Sequence, residues 1–222
     1  MDWFPLVLSL KIAAIATLVA SVLGVAVAAA LTMRVFPGRD LVDVLVTAPL
    51  VLPPTVLGYY LLVLLGRQGP VGQWLQQQWG LNLIFTWQGA VIAASVVAFP
   101  LVFKPARAAF ESIDDQLEMA AQVLGVSRIA IFWRVTLPLA WRGILAGILL
   151  GFARSLGEFG ATLMVAGSIP GKTQTLSVAV YEAVQAGDDA SAMKLVLVIS
   201  VTCCVILLLA TYLAPGRKPA HP

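Results

Sequence analysis

The fold class this sequence predicts is all-α: a polytopic membrane bundle of five transmembrane helices. Two observations predict it. Of 222 residues, 60% are hydrophobic and 11% charged, against about 45–50% and about 25% in soluble domains, and the mean hydropathy is +0.93. A soluble fold of this size has too little interior to hide so much apolar surface. The apolar residues also gather into runs of about 20, enough to cross a hydrocarbon core of about 30 Å at about 1.5 Å per residue. Disorder, collagen-like repeats and a disulfide scaffold are excluded by the same composition. The chain, 1–222, is expected to form one transmembrane domain.

The first span is Ile12 to Met33, which carries no charge. It is too long for a signal-peptide core, and the only basic residue before it is Lys11, after the acidic Asp2, so an uncleaved helix is expected. The second, Val44 to Gly66, holds Pro53-Pro54; proline removes a hydrogen bond and kinks a helix, which membranes tolerate where neighbours or water satisfy the freed carbonyls. The third is Leu83 to Phe103, preceded by a polar stretch, Gly72 to Asn82, with Trp74 and Trp79 as interfacial anchors. The fourth runs from Leu139 to about Ala166, interrupted by Arg154 and Glu158. Gly171 to Met193 is too charged to cross and reads as a loop with a short helix near Leu176 to Val184. Leu195 to Ala214 is the fifth span.

Charge sets the expected orientation. With the loops after spans one and three inside, Arg34, Arg39, Lys104, Arg107, Arg128, Arg134, Arg142, Arg217 and Lys218 lie inside, nine of the fourteen Lys and Arg. The N-terminus is then outside and the C-terminus inside. A net charge of +3 is thereby explained by cytoplasmic loops, and no basic stripe interleaved with aromatics points to nucleic acid. Cys203 and Cys204 are helix neighbours that cannot readily bridge. The one histidine, His221, leaves no material for a zinc site or a histidine-based triad. No span has a histidine or aspartate at its centre, so an intramembrane enzyme is not expected.

The loop between spans three and four is too long for a plain connection, and its segment 111–137 has an internal design. Asp115 with Glu118 fits a capping box, and Leu117, Ala120, Ala121 and Leu124 follow at helical spacing. Gly125 fits the left-handed position after a helix. Ser127 suits the cap of a second short helix, stopped at Leu137-Pro138, where span four starts. The first helix is too weakly amphipathic and too poor in flanking cations to hold lipid. Its small Ala120-Ala121 face suits close docking on another protein; an interfacial helix returning the chain to the membrane is the other reading.

Glu118-Met119-Ala120-Ala121, Gly125 and Val135-Thr136-Leu137-Pro138 resemble the EAA loop of ABC-importer permeases, with Met119 where the family pattern has Glu. Ala48 to Tyr60, Gly66 to Pro70 and Ala153-Arg-Ser-Leu-Gly-Glu-Phe-Gly-Ala161 resemble the molybdate branch, and the last segment sulfate and tungstate permeases too. The resemblance implies a type I importer permease, a homodimer seated on two cytosolic ATPases through this loop and fed by a periplasmic molybdate-binding protein. ATP and Mg would be held by the partner ATPase, with no cofactor in this chain. There is no Walker A sequence: Gly167 to Thr173 mimics its end, with only three residues between its glycines.

A dianion crossing hydrocarbon needs a polar, protein-lined path. Pro53, Pro54 and Thr55 read as a broken helix whose freed backbone groups line it. Arg154 and Glu158 share a helix face at i, i+4. They are either a site near the passing anion, with Glu158 holding Arg154, or a buried pair fixing span four. Gly157 and Gly160 are expected to serve close packing.

Overall fold

The computed structural model describes residues 2–33 and 37–213. In order these form α1 (Phe4–Met33), α2 (Arg39–Val51), α3 (Pro54–Leu65), α4 (Pro70–Trp79), α5 (Trp87–Glu111), α6 (Asp115–Val123), α7 (Arg128–Ile131), a π turn (Phe132–Thr136), α8 (Leu137–Leu156), α9 (Gly160–Ala166), α10 (Leu176–Gln185) and α11 (Asp189–Leu213). Arg34, Arg217, Lys218 and His221, used in the charge and metal arguments, lie outside the described residues, as does Ala214, the expected end of the last span.

Among the described residues, four stretches are continuous, long and apolar enough to cross a bilayer: Phe4–Met33, Trp87–Glu111, Arg128–Leu156 and Asp189–Leu208. α2 and α3 qualify only together, bent by 113° at their break. The directions of α1 and α5 make this bent pair a crossing. Leu8, Ile12 and Ala16 of α1 pack with Ala90, Val91 and Ala94 of α5 at one end. Ala28, Ala29 and Leu31 pack with Phe103, Ala106 and Phe110 at the other, which also carries the α5–α8 loop. The two helices are therefore parallel, and the chain between them must travel back from the loop end to the far end. α2 begins beside the last turns of α5, and α3 packs by Leu57, Leu61 and Leu65 against Ile84, Ala93 and Val97. The bent pair completes the expected five crossings.

The core is built from small side chains, as membrane helix interfaces are. α1 and α5 meet through fully buried alanines, among them Ala16, Ala20, Ala90, Ala94 and Ala98. α8 lies in a groove of α5 along Gly143, Gly147 and Gly151; a β-carbon at Gly147 would stand 3.1 Å from the Val102 carbonyl oxygen.

Span boundaries differ from the expected ones where charges find partners. α1 starts at Phe4, not Ile12, because the Lys11 ammonium lies 3.8 Å over the Trp87 ring. α5 runs past Phe103 to Glu111, because its last turns are held by ion pairs to α2. It begins at Trp87 rather than Leu83, with the Thr86 hydroxyl accepting from Gly89 N at 3.2 Å. The polar stretch before it contains α4, which starts with Pro70 at its first position and ends at Gly80 with φ 65°. α10 matches the short helix expected near Leu176. α11 begins at Asp189, six residues before Leu195, with Asp188 Oδ1 accepting from Ser191 N at 3.0 Å. Hydrogen bonds from the Ser191 side chain and backbone hold the Asp188 carboxyl below its ordinary pKa.

The cations sort by end. Arg39, Lys104, Arg107, Arg128, Arg134 and Arg142 cluster at the loop end; Lys11, Arg67, Lys172 and Lys194 lie toward the far end.

Candidate functional site

Two places in the bundle hold the residues singled out above. The first is the loop end. α6 is capped by Asp114, whose Oδ1 accepts from Gln116 N at 2.9 Å. The expected capping box between Asp115 and Glu118 is therefore not what forms. Asp115 is already the first helical residue, and Glu118 turns away from the helix start: its Oε1 accepts from the Thr136 hydroxyl at 2.6 Å. The other end is as expected. Gly125 has φ +77°, its N–H bonds the Gln122 carbonyl at 2.9 Å, and Val126 N bonds the Ala121 carbonyl at 3.1 Å. Those two bonds make a Schellman stop, which only a residue at ease in the left-handed region closes without strain.

Ser127 caps α7 as expected, its hydroxyl accepting from Ala130 N at 3.4 Å. Leu137-Pro138 does not stop that helix. The backbone continues through the π turn into α8, with Leu137 N bonded to the Phe132 carbonyl. Pro138 has no N–H to give the ladder, and the wider turn before it takes up the change of register. The turn is anchored by Phe132, whose ring lies 6.0 Å from that of Phe110 at the end of α5. Outside this anchor the surface is apolar and uncovered: Val123 is 87% exposed, Leu124 82%, and Met119, Ile129 and Trp133 each by more than half. A groove of about 590 Å³ runs beside it, lined by Met33, Glu118, Gln122, Arg128, Ile129 and Trp133 among others.

The second place lies level with Val97, near the midpoint of α5. Two broken helices meet there at their breaks. α2 ends at Val51 and α3 restarts at Pro54, which suits proline because the first helical turn needs no N–H from it. α8 ends at Leu156 and α9 restarts at Gly160. Glycines bring the restarts together. A β-carbon at Gly160 would lie 3.0 Å from Pro54 Cβ and 3.3 Å from Thr55 N; one at Gly58 would lie 2.9 Å from Ala161 Cα. Gly160 thus serves close packing, as expected.

Arg154 and Glu158 bridge the second break. Arg154 Nη1 stands 2.7 Å from Glu158 Oε2, and Glu158 Oε1 accepts from Ala161 N at 2.8 Å, tying the first turn of α9. Arg154 also lines a cavity of about 80 Å³ with Pro49, Leu50, Leu52, Pro54 and Val97. Pro53, Pro54, Thr55, Arg154 and Glu158, chosen from distant parts of the sequence, are therefore one neighbourhood.

With this geometry, comparison with known proteins is direct. A family model described as "Binding-protein-dependent transport system inner membrane component" matches residues 20–218. The chain belongs to this family. The molybdenum transport system permease protein ModB of Escherichia coli (strain K12) is 42% identical to it over 96% of this chain and 93% of its own length. ModB of Haemophilus influenzae is 45% identical over 93% of this chain and 91% of its own. The inward-facing MetNI methionine ABC transporter has a chain that aligns with a TM-score of 0.75 at 15% identity, covering 96% of this chain and 98% of that one. That likeness shows the fold, the one found in type I importer permeases. The protein is thus an integral inner-membrane transport component.

Sequence reasoning missed one cluster in this permease. Asp43 on α2 accepts from Lys104 at 2.7 Å and from Arg107 at 2.6 Å, while Glu111 takes Arg107 at 2.8 Å and Arg39 at 2.7 Å. The network clamps the start of α2 to the end of α5. Its legible part was Arg107–Glu111 at i, i+4; the other links join residues about 60 to 70 positions apart, and no local pattern announces them.

Proposed function

We propose that this chain is the membrane-spanning subunit of an ATP-driven importer that moves molybdate across the inner membrane by alternating access. The observation that carries the reading is the uncovered apolar surface of α6, on a hairpin built into the same continuous helix that becomes span four. In a family of binding-protein-dependent transport components, such a surface suits a cytosolic ATPase. Met119, Ala120 and Ala121 would seat in a cleft on that subunit, Gly125 would end the helix cleanly at its edge, and Leu137-Pro138 would pass the displacement into α8. Glu118 serves within the hairpin, through Thr136.

Two copies of the permease would pair, on two ATPases that hold ATP and Mg, with an external molybdate-binding protein delivering the ion. ATP binding draws the two docked hairpins together and rocks the spans; hydrolysis resets them. The permease contributes the path and no catalytic group. The meeting of the two broken helices at Pro53, Pro54, Thr55, Arg154 and Glu158 is its proposed narrow point. Clustering of six cations at the loop end supports placing that end, and the C-terminus, in the cytoplasm, with the N-terminus outside.

The test is co-purification with the ATPase and measurement of hydrolysis stimulated by binding protein loaded with molybdate, tungstate or sulfate in turn. Stimulation by molybdate is expected, and its absence would sink the reading. Orientation is checked separately. With Cys203 and Cys204 replaced, the Gln122→Cys variant should resist membrane-impermeant thiol reagents added to intact cells; labelling would put the hairpin on the wrong side.

A further inference from the structure

The pair at the second break is lopsided. Glu158 has a side chain only 1% exposed; its Oε1 accepts from Ala161 N, while its Oε2 faces Arg154 as an ion pair without a hydrogen bond. The Arg154 side chain is 34% exposed and makes a single ion-pair contact, through one of its guanidinium nitrogens. A guanidinium carries five N–H donors, so most of its donor capacity is not taken up by Glu158. Arg154 lines a cavity whose other residues are two prolines, two leucines and a valine, none of which offers a side-chain acceptor. A pair that served only to hold two helices would be closed on both sides, because a buried ion pair is stable only with its remaining donors and acceptors satisfied. Here the pair is not closed: Glu158 Oε2 accepts no hydrogen bond and most donors of the one-third exposed Arg154 are unused, so the buried carboxylate is fixed while the cation is free to turn.

From this asymmetry we infer that Arg154 is a transient counter-ion for the translocated oxyanion, shared between Glu158 and the passing dianion. The inference rests on the transport reading above and names the residue that meets the substrate. Glu158 is pinned at the start of α9 and cannot follow, so the guanidinium keeps one partner while its free donors turn to the oxyanion as a planar fork. Permanent pairing keeps the site shallow: a bare arginine at this depth would hold a dianion too firmly for release. Glu158 thus weakens the site on purpose, and Arg154 supplies the attraction.

The test uses the whole complex, permease with ATPase and binding protein, in proteoliposomes, with labelled molybdate as probe. Arg154→Gln should cut initial uptake by roughly tenfold or more, the size of one lost charge-assisted contact, while hydrolysis stimulated by loaded binding protein persists. Arg154→Lys should recover much of the uptake. The deciding variant is Arg154→Gln with Glu158→Gln, which leaves no unpaired charge. A purely structural pair predicts that this double exchange restores uptake; a counter-ion predicts that it stays as low as Arg154→Gln alone. Recovery of uptake by the double variant, or its failure to assemble at all, would overturn the inference. Should Arg154→Gln alone not assemble, because Glu158 is then buried without a partner, the double variant still decides. If the unaltered complex moves no molybdate, the reading beneath falls, and that result is distinct from a working complex indifferent to Arg154.

Discussion

The hairpin at the loop end and the meeting of breaks at mid-depth are built by opposite means. The hairpin is a local construction: Asp114, Gly125 and Ser127 set its starts and stops through bonds spanning at most five residues, and its apolar side chains face outward with nothing upon them. One long-range side-chain bond, Thr136 to Glu118, ties α6 to the π turn that leads into α8. The breaks are interlocked instead, Gly58 on Ala161 leaving no room for a methyl group and Gly160 on Pro54 leaving little. A part proposed to receive force from another protein can be shaped locally and left open. A part proposed to hold the narrow point of the path at membrane depth must be fixed by its neighbours, because every freed backbone group there has to be satisfied without bulk water.

This contrast is broken most severely at Gly58. Gly58→Val inserts atoms where a β-carbon already lies 2.8 Å from Met164 Cβ. Overpacking of that kind costs about 1–3 kcal/mol or more, and the expected outcome is loss of monodisperse protein in detergent; normal yield would show the breaks to be loosely held. Gly125→Asp should act differently, since nothing lies within 4 Å of a β-carbon there. Membrane insertion should be unchanged and molybdate uptake abolished, through a left-handed backbone and a new charge at the docking edge. Unaltered uptake would remove the docking role.

Smaller effects sharpen the comparison. Thr136→Val removes the tie to Glu118, a hydrogen bond worth about 1 kcal/mol, and should lower ions moved per ATP hydrolysed by up to roughly fivefold while hydrolysis continues. An unchanged ratio would show that the hairpin needs no internal strut. The smallest effect belongs to Asp188. Its folded pKa is held below the ordinary carboxylate value, so its contribution is present above the unfolded pKa of about 3.9 and is lost as pH falls through the folded one. Asp188→Ala should lower the amide protection factor at Ser191 without altering uptake at neutral pH, and acidification through that range should lower it in the unaltered protein; undiminished protection in the variant would deny the cap.

Much of the hairpin was legible because its signals are short-range. A Ser before a helix and a Gly after one act on their immediate neighbours, and both residues behave as their types predict. The misreading of Glu118 is instructive for the same reason. Asp115-x-x-Glu118 satisfies the local pattern, but Asp114 takes the cap one position earlier, and the π turn brings Thr136, eighteen residues on, to the carboxylate. At the breaks, Pro53-Pro54 announced an interruption, whereas its 113° angle and its meeting with Arg154 were not announced.

Hydropathy and the residues that start and stop helices determine by themselves that this chain crosses a membrane and that its second span is interrupted, because those choices depend on transfer from water and on backbone bonds within a turn or two. The tertiary structure alone decides that α1 and α5 run parallel, that Asp43 clamps Lys104 and Arg107, and that two breaks about a hundred residues apart share one cavity. Those outcomes follow from which small side chains let two backbones approach, and that depends on pairs of helices rather than on either one.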